Sequence, residues 1–404
     1  MNTELSPLVH DPQPGKRQAP GGGARSAAVL GIGTFAIGTD MFVIAGLLGQ
    51  LSAALEVTVG IAGLTITVFA IAYATGGPLL GGLLAGLDPR PVLIGSLLVF
   101  ACCSALSALA PTLAVLLGAR LIAGLGASVY IPAAAACAVA TQSPHRRGRA
   151  LGVLQGASST ALLAGAPLGL LLATAFSWRA TFGLVAVLCT TAVLGLLGCD
   201  GIEPVQQQRP ALRDRLAPMA SPQVLTTLGA TLLLMAASNS VYSFLGVVLA
   251  DVTGPDGLWL FIGAFGIGGL FGTWLGGAAA DRWGGRRLAL LAGACLTVVF
   301  LVLPPASATA STAWTVAVCW GAAGGAFITG QQHRLTGTHA GPPPILLALN
   351  SSAVQLGFAA GALLGGLVVD RAGAGSLWIL AAGCAAIAFA VQGASQIRHG
   401  QGRS

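Results

Sequence analysis

Asp40 and Arg120 are the two residues of this 404-residue chain whose chemistry is hardest to explain as scaffold. Asp40 lies inside GTFAIGTDMFVIAGLL and Arg120 inside LLGARLIAGLGA. Of the twelve acidic residues only Asp40 sits deep in an apolar stretch, and of the basic ones only Arg120 does. An ionisable group at bilayer depth costs at least about 2.5–3.5 kcal/mol on insertion scales, so it persists only where a cavity or a partner receives it. Leaving water favours a neutral carboxyl, and a neighbouring guanidinium favours the ionised one. A carboxyl balanced between the two can take a proton from one side of a membrane and lose it to the other. Asp40 and Arg120 are therefore the candidate proton-coupling pair. The plainer readings are a structural acid near a helix end and an arginine tied to backbone carbonyls.

Twelve apolar windows of roughly membrane-spanning length must position these residues. They run over 27–49, 60–84, 91–110, 112–138, 150–175, 179–198, 223–250, 257–280, 287–306, 312–332, 345–369 and 373–394. Composition demands a lipid solvent: 55% of residues are hydrophobic, 8% are charged and the mean hydropathy is +0.84, whereas a soluble domain carries about 25% charged residues. Residues 1–26 read as a disordered cytoplasmic tail, 27–198 as one six-helix bundle, 199–222 as a cytoplasmic linker, 223–394 as a second bundle and 395–404 as a cytoplasmic tail. With both termini inside, sixteen of the nineteen Lys and Arg residues fall on the inner side and only Arg179 and Arg371 on the outer. The net charge of +7 is then topological, and no soluble face gathers it for nucleic acid. The eight cysteines have no metal spacing and read as small buried residues.

The chain is doubled. Gly165-Ala166-Pro167-Leu168-Gly169 maps at an offset of 196 onto Gly361-Ala362-Leu363-Leu364-Gly365, and the same offset carries Gly81 to Gly277 and Arg90 to Arg286. Duplicated sets of apolar helices are how many transporters build a central site between two halves.

Several stretches resemble the major facilitator superfamily. Gly77-Pro78-Leu79-Leu80-Gly81 with Arg90 is similar to its loop signature between spans two and three, and Gly277 to Arg287 is the better copy. Arg120-Leu121-Ile122-Ala123-Gly124 resembles its span-four signature. Gly152, Gly156, Gly165, Pro167 and Gly169 resemble the glycine–proline signature of its antiporters. Gly38-Thr39-Asp40-Met41-Phe42-Val43 resembles the span-one signature of the twelve-span drug:proton antiporters, in the branch of arabinose-efflux permeases and chloramphenicol-resistance exporters. Ala85, Gly86 and Asp88 depart from the first-half loop signature, as Gly49 and Ala123 do from those of spans one and four.

The resemblance implies an all-α membrane fold of two pseudo-symmetric six-helix bundles, with spans one, four, seven and ten around a central cavity. Thr39, Asn239, Tyr242 and Trp320, with Asn350 and Gln355 on a neighbouring span, are the expected cavity residues, although polar groups in spans often only bond between helices. Arg90, Asp281, Arg282, Arg286 and Arg287 are expected to gate, the bland alternative being positive-inside anchors. Gly156, Gly165, Pro167 and Gly169 are expected to form an antiporter hinge, since small residues let helices slide and proline permits a bend. The expected function is export of a small organic solute, an antibiotic or related metabolite, in exchange for protons. A sugar or nucleoside efflux permease is the rival within the class. An intramembrane enzyme or a sensor is remote, because all five histidines lie in loops or tails and no output domain is evident. No cofactor is expected, and no GxxxxGK stretch would cradle ATP. The expected partners are substrate, protons and the bilayer, with no nucleic acid. The expected state is a monomer in the cytoplasmic membrane.

Overall fold

The computed structural model describes residues 22–84, 86–142, 146–199, 212–306 and 309–400. The tail before residue 22, Ala85, the middle of the expected linker at 200–211 and the last four residues lie outside that set. Among the described residues there is no strand. Twelve helices are long and apolar enough to cross a membrane: Arg25–Leu55, Val59–Gly81, Pro89–Leu109, Leu113–Ala140, Arg147–Ala175, Trp178–Leu197, Pro222–Tyr242, Gly257–Trp283, Gly285–Pro304, Ser311–Thr336, Pro343–Ala372 and Ala374–Gly393. They are numbered here as spans one to twelve.

Four boundaries stand furthest from the sequence reading. Span one continues to Leu55 through polar residues, because Gln50 donates to Ala173 O (3.4 Å) and Ser52 to Val57 O (2.6 Å). Its helix begins at Gly22, inside the stretch read as a tail, where Ala24, Arg25, Ala27 and Ala28 favour helix. Span seven stops at Tyr242 rather than 250. The chain leaves the helix at Phe244 (φ −110°, ψ 18°), whose fully buried ring lies against Gly63 and Gly365. The last helix runs to Gly400, beyond the expected start of the C-terminal tail.

Span packing repeats. In the first half, span one packs on five and six, two on four, three on four and six. Add six to each number and the second half has the same pairs, down to seven on eleven and twelve. The halves meet along two seams, two against eleven and five against eight. Small residues set these distances, as expected where no hydrophobic force acts between helices in lipid. Gly268 and Gly272 of span eight face the backbone of Val318 and Ala322, while Gly321 and Gly325 of span ten face Phe265 and Gly269. Large apolar side chains such as Leu83, Leu109, Leu194, Trp274 and Leu291 are exposed, which suits acyl chains rather than water.

Span five is not a uniform helix. Ala161–Gly165 form a single π-helical turn, and Pro167 follows at the start of Ala166–Ala175. Proline lacks an N–H and its ring crowds the carbonyl four residues back. A wider turn immediately before it relieves both.

Candidate functional site

Asp40 and Arg120 meet. Arg120 Nη1 donates to Asp40 Oδ2 at 2.5 Å, and both side chains are buried. Arg120 Nε also donates to Thr65 O on span two at 3.5 Å. Its guanidinium carbon lies 4.3 Å from the centre of the Phe69 ring and 6.0 Å from that of Phe182. The planar cation is thus held by a carboxylate at its edge and an aromatic face, an arrangement lysine could not reproduce. Removing one member of such a buried pair typically costs about 3–5 kcal/mol. The second carboxylate oxygen, Asp40 Oδ1, receives no hydrogen bond among the described residues, and Thr39 Oγ1 beside it has no partner either.

A cavity of about 1250 Å³, its solvent-open part included, lies between the halves. Spans one, two, four, five, seven, eight, ten and eleven line it, and the other four do not. Its wall is mostly apolar. Arg120 is on that wall, and Asp40 sits directly behind it. From mid-bundle the lining extends along Gln155 and Ser158 of span five, Thr273 of span eight and Ile328 of span ten. That is towards the end bearing Arg146, Arg147, Arg286 and Arg287. At the other end an aromatic floor closes it. Phe42 meets Tyr242 edge-on at 6.5 Å, and the Tyr242 hydroxyl donates to Phe42 O (3.3 Å) across the halves.

The structure sorts the expected cavity residues into two groups. Asn239, Tyr242 and Gln355 line the wall. Gln355 Oε1 accepts no hydrogen bond, and its Nε2 has only Met41 Sδ at 3.7 Å. Thr39, Trp320 and Asn350 are off the wall, which corrects the expectation for them. Thr39 turns towards span five, where a Cβ at Gly165 would overlap its hydroxyl. Trp320 stands behind Phe265 (5.2 Å) and Tyr242 (6.4 Å), and its indole N–H donates to Ser238 Oγ (2.7 Å). Asn350 accepts from Thr231 (3.2 Å) in a polar knot with Gln331, whose amide donates to Thr227 O and Thr231 Oγ1.

The gating set also divides. Arg90 is not placed across the halves. It donates to Leu197 O (2.7 Å) and Leu196 O (3.3 Å), closing the end of span six within its own half. Asp281, Arg282, Arg286 and Arg287 are exposed and form no ion pair or hydrogen bond among the described residues. In the hinge set, Gly165 abuts Thr39 and Gly169 abuts Val43 and Thr181, with Thr181 donating to Gly169 O (2.7 Å). Gly156 is the exception, since a Cβ there would meet nothing within 4 Å. Pro167 lies two residues past the wide turn of span five.

Sequence reasoning missed Phe69 and Phe265, which look like ordinary core residues. The offset of 196 pairs them, and that signal could have found both.

Comparisons with known proteins agree with this geometry. The profile of the Major Facilitator Superfamily matches residues 30–344. The chain is 31% identical over 357 residues to the chloramphenicol resistance protein of Streptomyces lividans, covering 87% of this chain and 91% of that one. It is 29% identical to the MFS-type transporter YbcL of Bacillus subtilis, covering 88% and 92%. A solved structure of the nucleoside transporter NupG superposes with a TM-score of 0.73 at 13% identity, covering 91% of this chain and 98% of that one. At that identity the likeness concerns the fold.

Proposed function

This chain belongs to the major facilitator superfamily, and from that premise we propose that it exports a small organic solute in exchange for protons, by alternating access between two rocking halves. One observation carries the reading: a buried ion pair, the only one among the described residues, whose cation forms the cavity wall while its carboxylate lies one layer behind. A proton reaching the unbonded Oδ1 removes the charge that holds Arg120. The guanidinium then changes partner at the place where a substrate would sit. Substrate occupancy and the proton state of Asp40 are in this way coupled through one side chain.

The wall chemistry narrows the solute. Arg120 is balanced by Asp40, no other charge lines the cavity among the described residues, and aromatic rings form its floor. That favours an uncharged, partly apolar molecule over a sugar, and an antibiotic-like amide or aromatic fits, as the Streptomyces lividans relative's name suggests. A membrane potential of 100 mV supplies about 2.3 kcal/mol per charge, enough with one pH unit to hold a gradient of several hundred-fold. The Lys and Arg asymmetry supports a cytoplasmic location for both termini and the cavity mouth. The segment 199–222 is then a cytoplasmic linker joining two units within one monomer, where Arg215 ties it to the end of span two through Pro78 O and Gly81 O.

Proton-driven uptake into everted vesicles, whose cytoplasmic face is outward, tests the proposal. Chloramphenicol-like compounds and sugars are compared with and without a proton uncoupler. Uncoupler-sensitive movement of the former and not of the latter is expected. Movement of neither, or movement indifferent to the uncoupler, would overturn it.

A further inference from the structure

Beyond the aromatic floor, at the end away from the basic loops, one acidic side chain is held entirely by the opposite half. Asp370 ends span eleven, and its Oδ2 accepts from Thr58 Oγ1 at 2.7 Å while its Oδ1 accepts from the Gly60 N–H at 3.1 Å. It forms no ion pair with neighbouring Arg371 or any other described residue. Thr58 is presented by a turn in which Glu56 adopts a left-handed conformation (φ 53°), and its hydroxyl also accepts from the Ile61 N–H (3.2 Å). Gly60 and Gly366 bring the two backbones together beneath, and a Cβ at Gly60 would overlap the Asp370 carboxylate.

We propose that Thr58, Gly60 and Asp370 form a latch between the halves that only one of the two access states can make, so that Asp370 sets the balance between those states. This rests on alternating access as read above. Rocking that opens this end must part spans two and eleven here, and both hydrogen bonds are lost together. Charge-assisted hydrogen bonds of this kind are about twice as strong as neutral ones. The repeat-mate of Asp370 is Thr174, whose hydroxyl returns to Leu171 O of its own span (2.9 Å).

The test uses the full chain in liposomes with its eight cysteines replaced and spin labels added pairwise. Labels at exposed Ala54 and Ala372 report the latch end, and labels at exposed Gly148 and Ala278 report the basic end. In Asp370→Ala the population with a wide latch end should rise about five- to tenfold relative to the unsubstituted chain. The basic end should narrow in step. Thr58→Val should do the same, and Thr58→Ser should restore the original distribution. Unchanged distances at both ends overturn the proposal. Widening of the latch end without narrowing of the other also overturns it, because the contact then fastens a loop and selects no state. Failure of proton-driven efflux in the unsubstituted chain would count against the proposed function and would leave these distances as they are.

Discussion

The two halves share a frame and differ at the centre. In the first half Asp40, Arg120 and Phe69 form a buried charged cluster. At the offset of 196 the second half has Ala236, Val316 and Phe265. The phenylalanine is kept, and its partner changes. Arg120 lies over Phe69, whereas Phe265 packs against Trp320, the repeat-mate of Gly124. One bundle thus carries titratable charge, and the other carries rings. The division has a physical logic. A charge in oil needs a partner and a cavity, and for the proposed exchange of one proton one such pair would suffice. On the proposed function, the second half would then supply the apolar contact area for a solute.

The comparison breaks most severely at the carboxylate. Asp40→Asn keeps the shape and removes the titration. Proton-linked efflux should fall by about 100-fold, with normal amounts of folded protein in the membrane. Undiminished transport with an unchanged pH profile would remove Asp40 from coupling. Arg120→Lys keeps the charge but loses the planar contact with Phe69 and the second donor to Thr65 O. Efflux should drop by about tenfold, again through its pH dependence. On the aromatic side, Trp320→Phe deletes the bond to Ser238 while keeping a ring behind Tyr242 and Phe265. Substrate affinity should weaken by about three- to tenfold, and the pH profile should stay. A shifted profile would mean that the two halves do not divide the labour this way. The smallest effect is expected at the loops. Arg90→Ala removes two bonds to the end of span six and should lower the melting temperature by about 2–4 °C. Arg286→Ala, at the matching place in the second half, should leave it unchanged.

The sequence exposes the frame more readily than the site. Twelve apolar windows, the offset of 196 and the positive-charge asymmetry are long-period signals that survive without coordinates. Asp40 and Arg120 stand out because lipid penalises them individually. The cavity wall does not stand out, since Trp320 and Gln355 carry the same polar signature and only one reaches the space. A polar side chain in a span is equally content with a helix neighbour, as Asn350 and Thr231 show. Arg90 resembles a gate by motif, yet the carbonyls of Leu196 and Leu197 were nearer. The latch was invisible for another reason. Thr58 and Asp370 are ordinary surface residues 312 positions apart, joined only by how two spans lean.

The wide turn of span five carries one more lesson. The offset is 196 before it, at Arg90 and Arg286, and still 196 at Gly165 and Gly361. No residue has been inserted, yet span eleven passes through the matching stretch as an unbroken α-helix. The difference is one of winding. Residues 166–175 are therefore rotated by about a quarter revolution relative to their twins in span eleven, and identical chain lengths aim different side chains at the opposing bundle. Two copies of one gene segment became unequal here by a change of screw phase that no gap in an alignment would reveal.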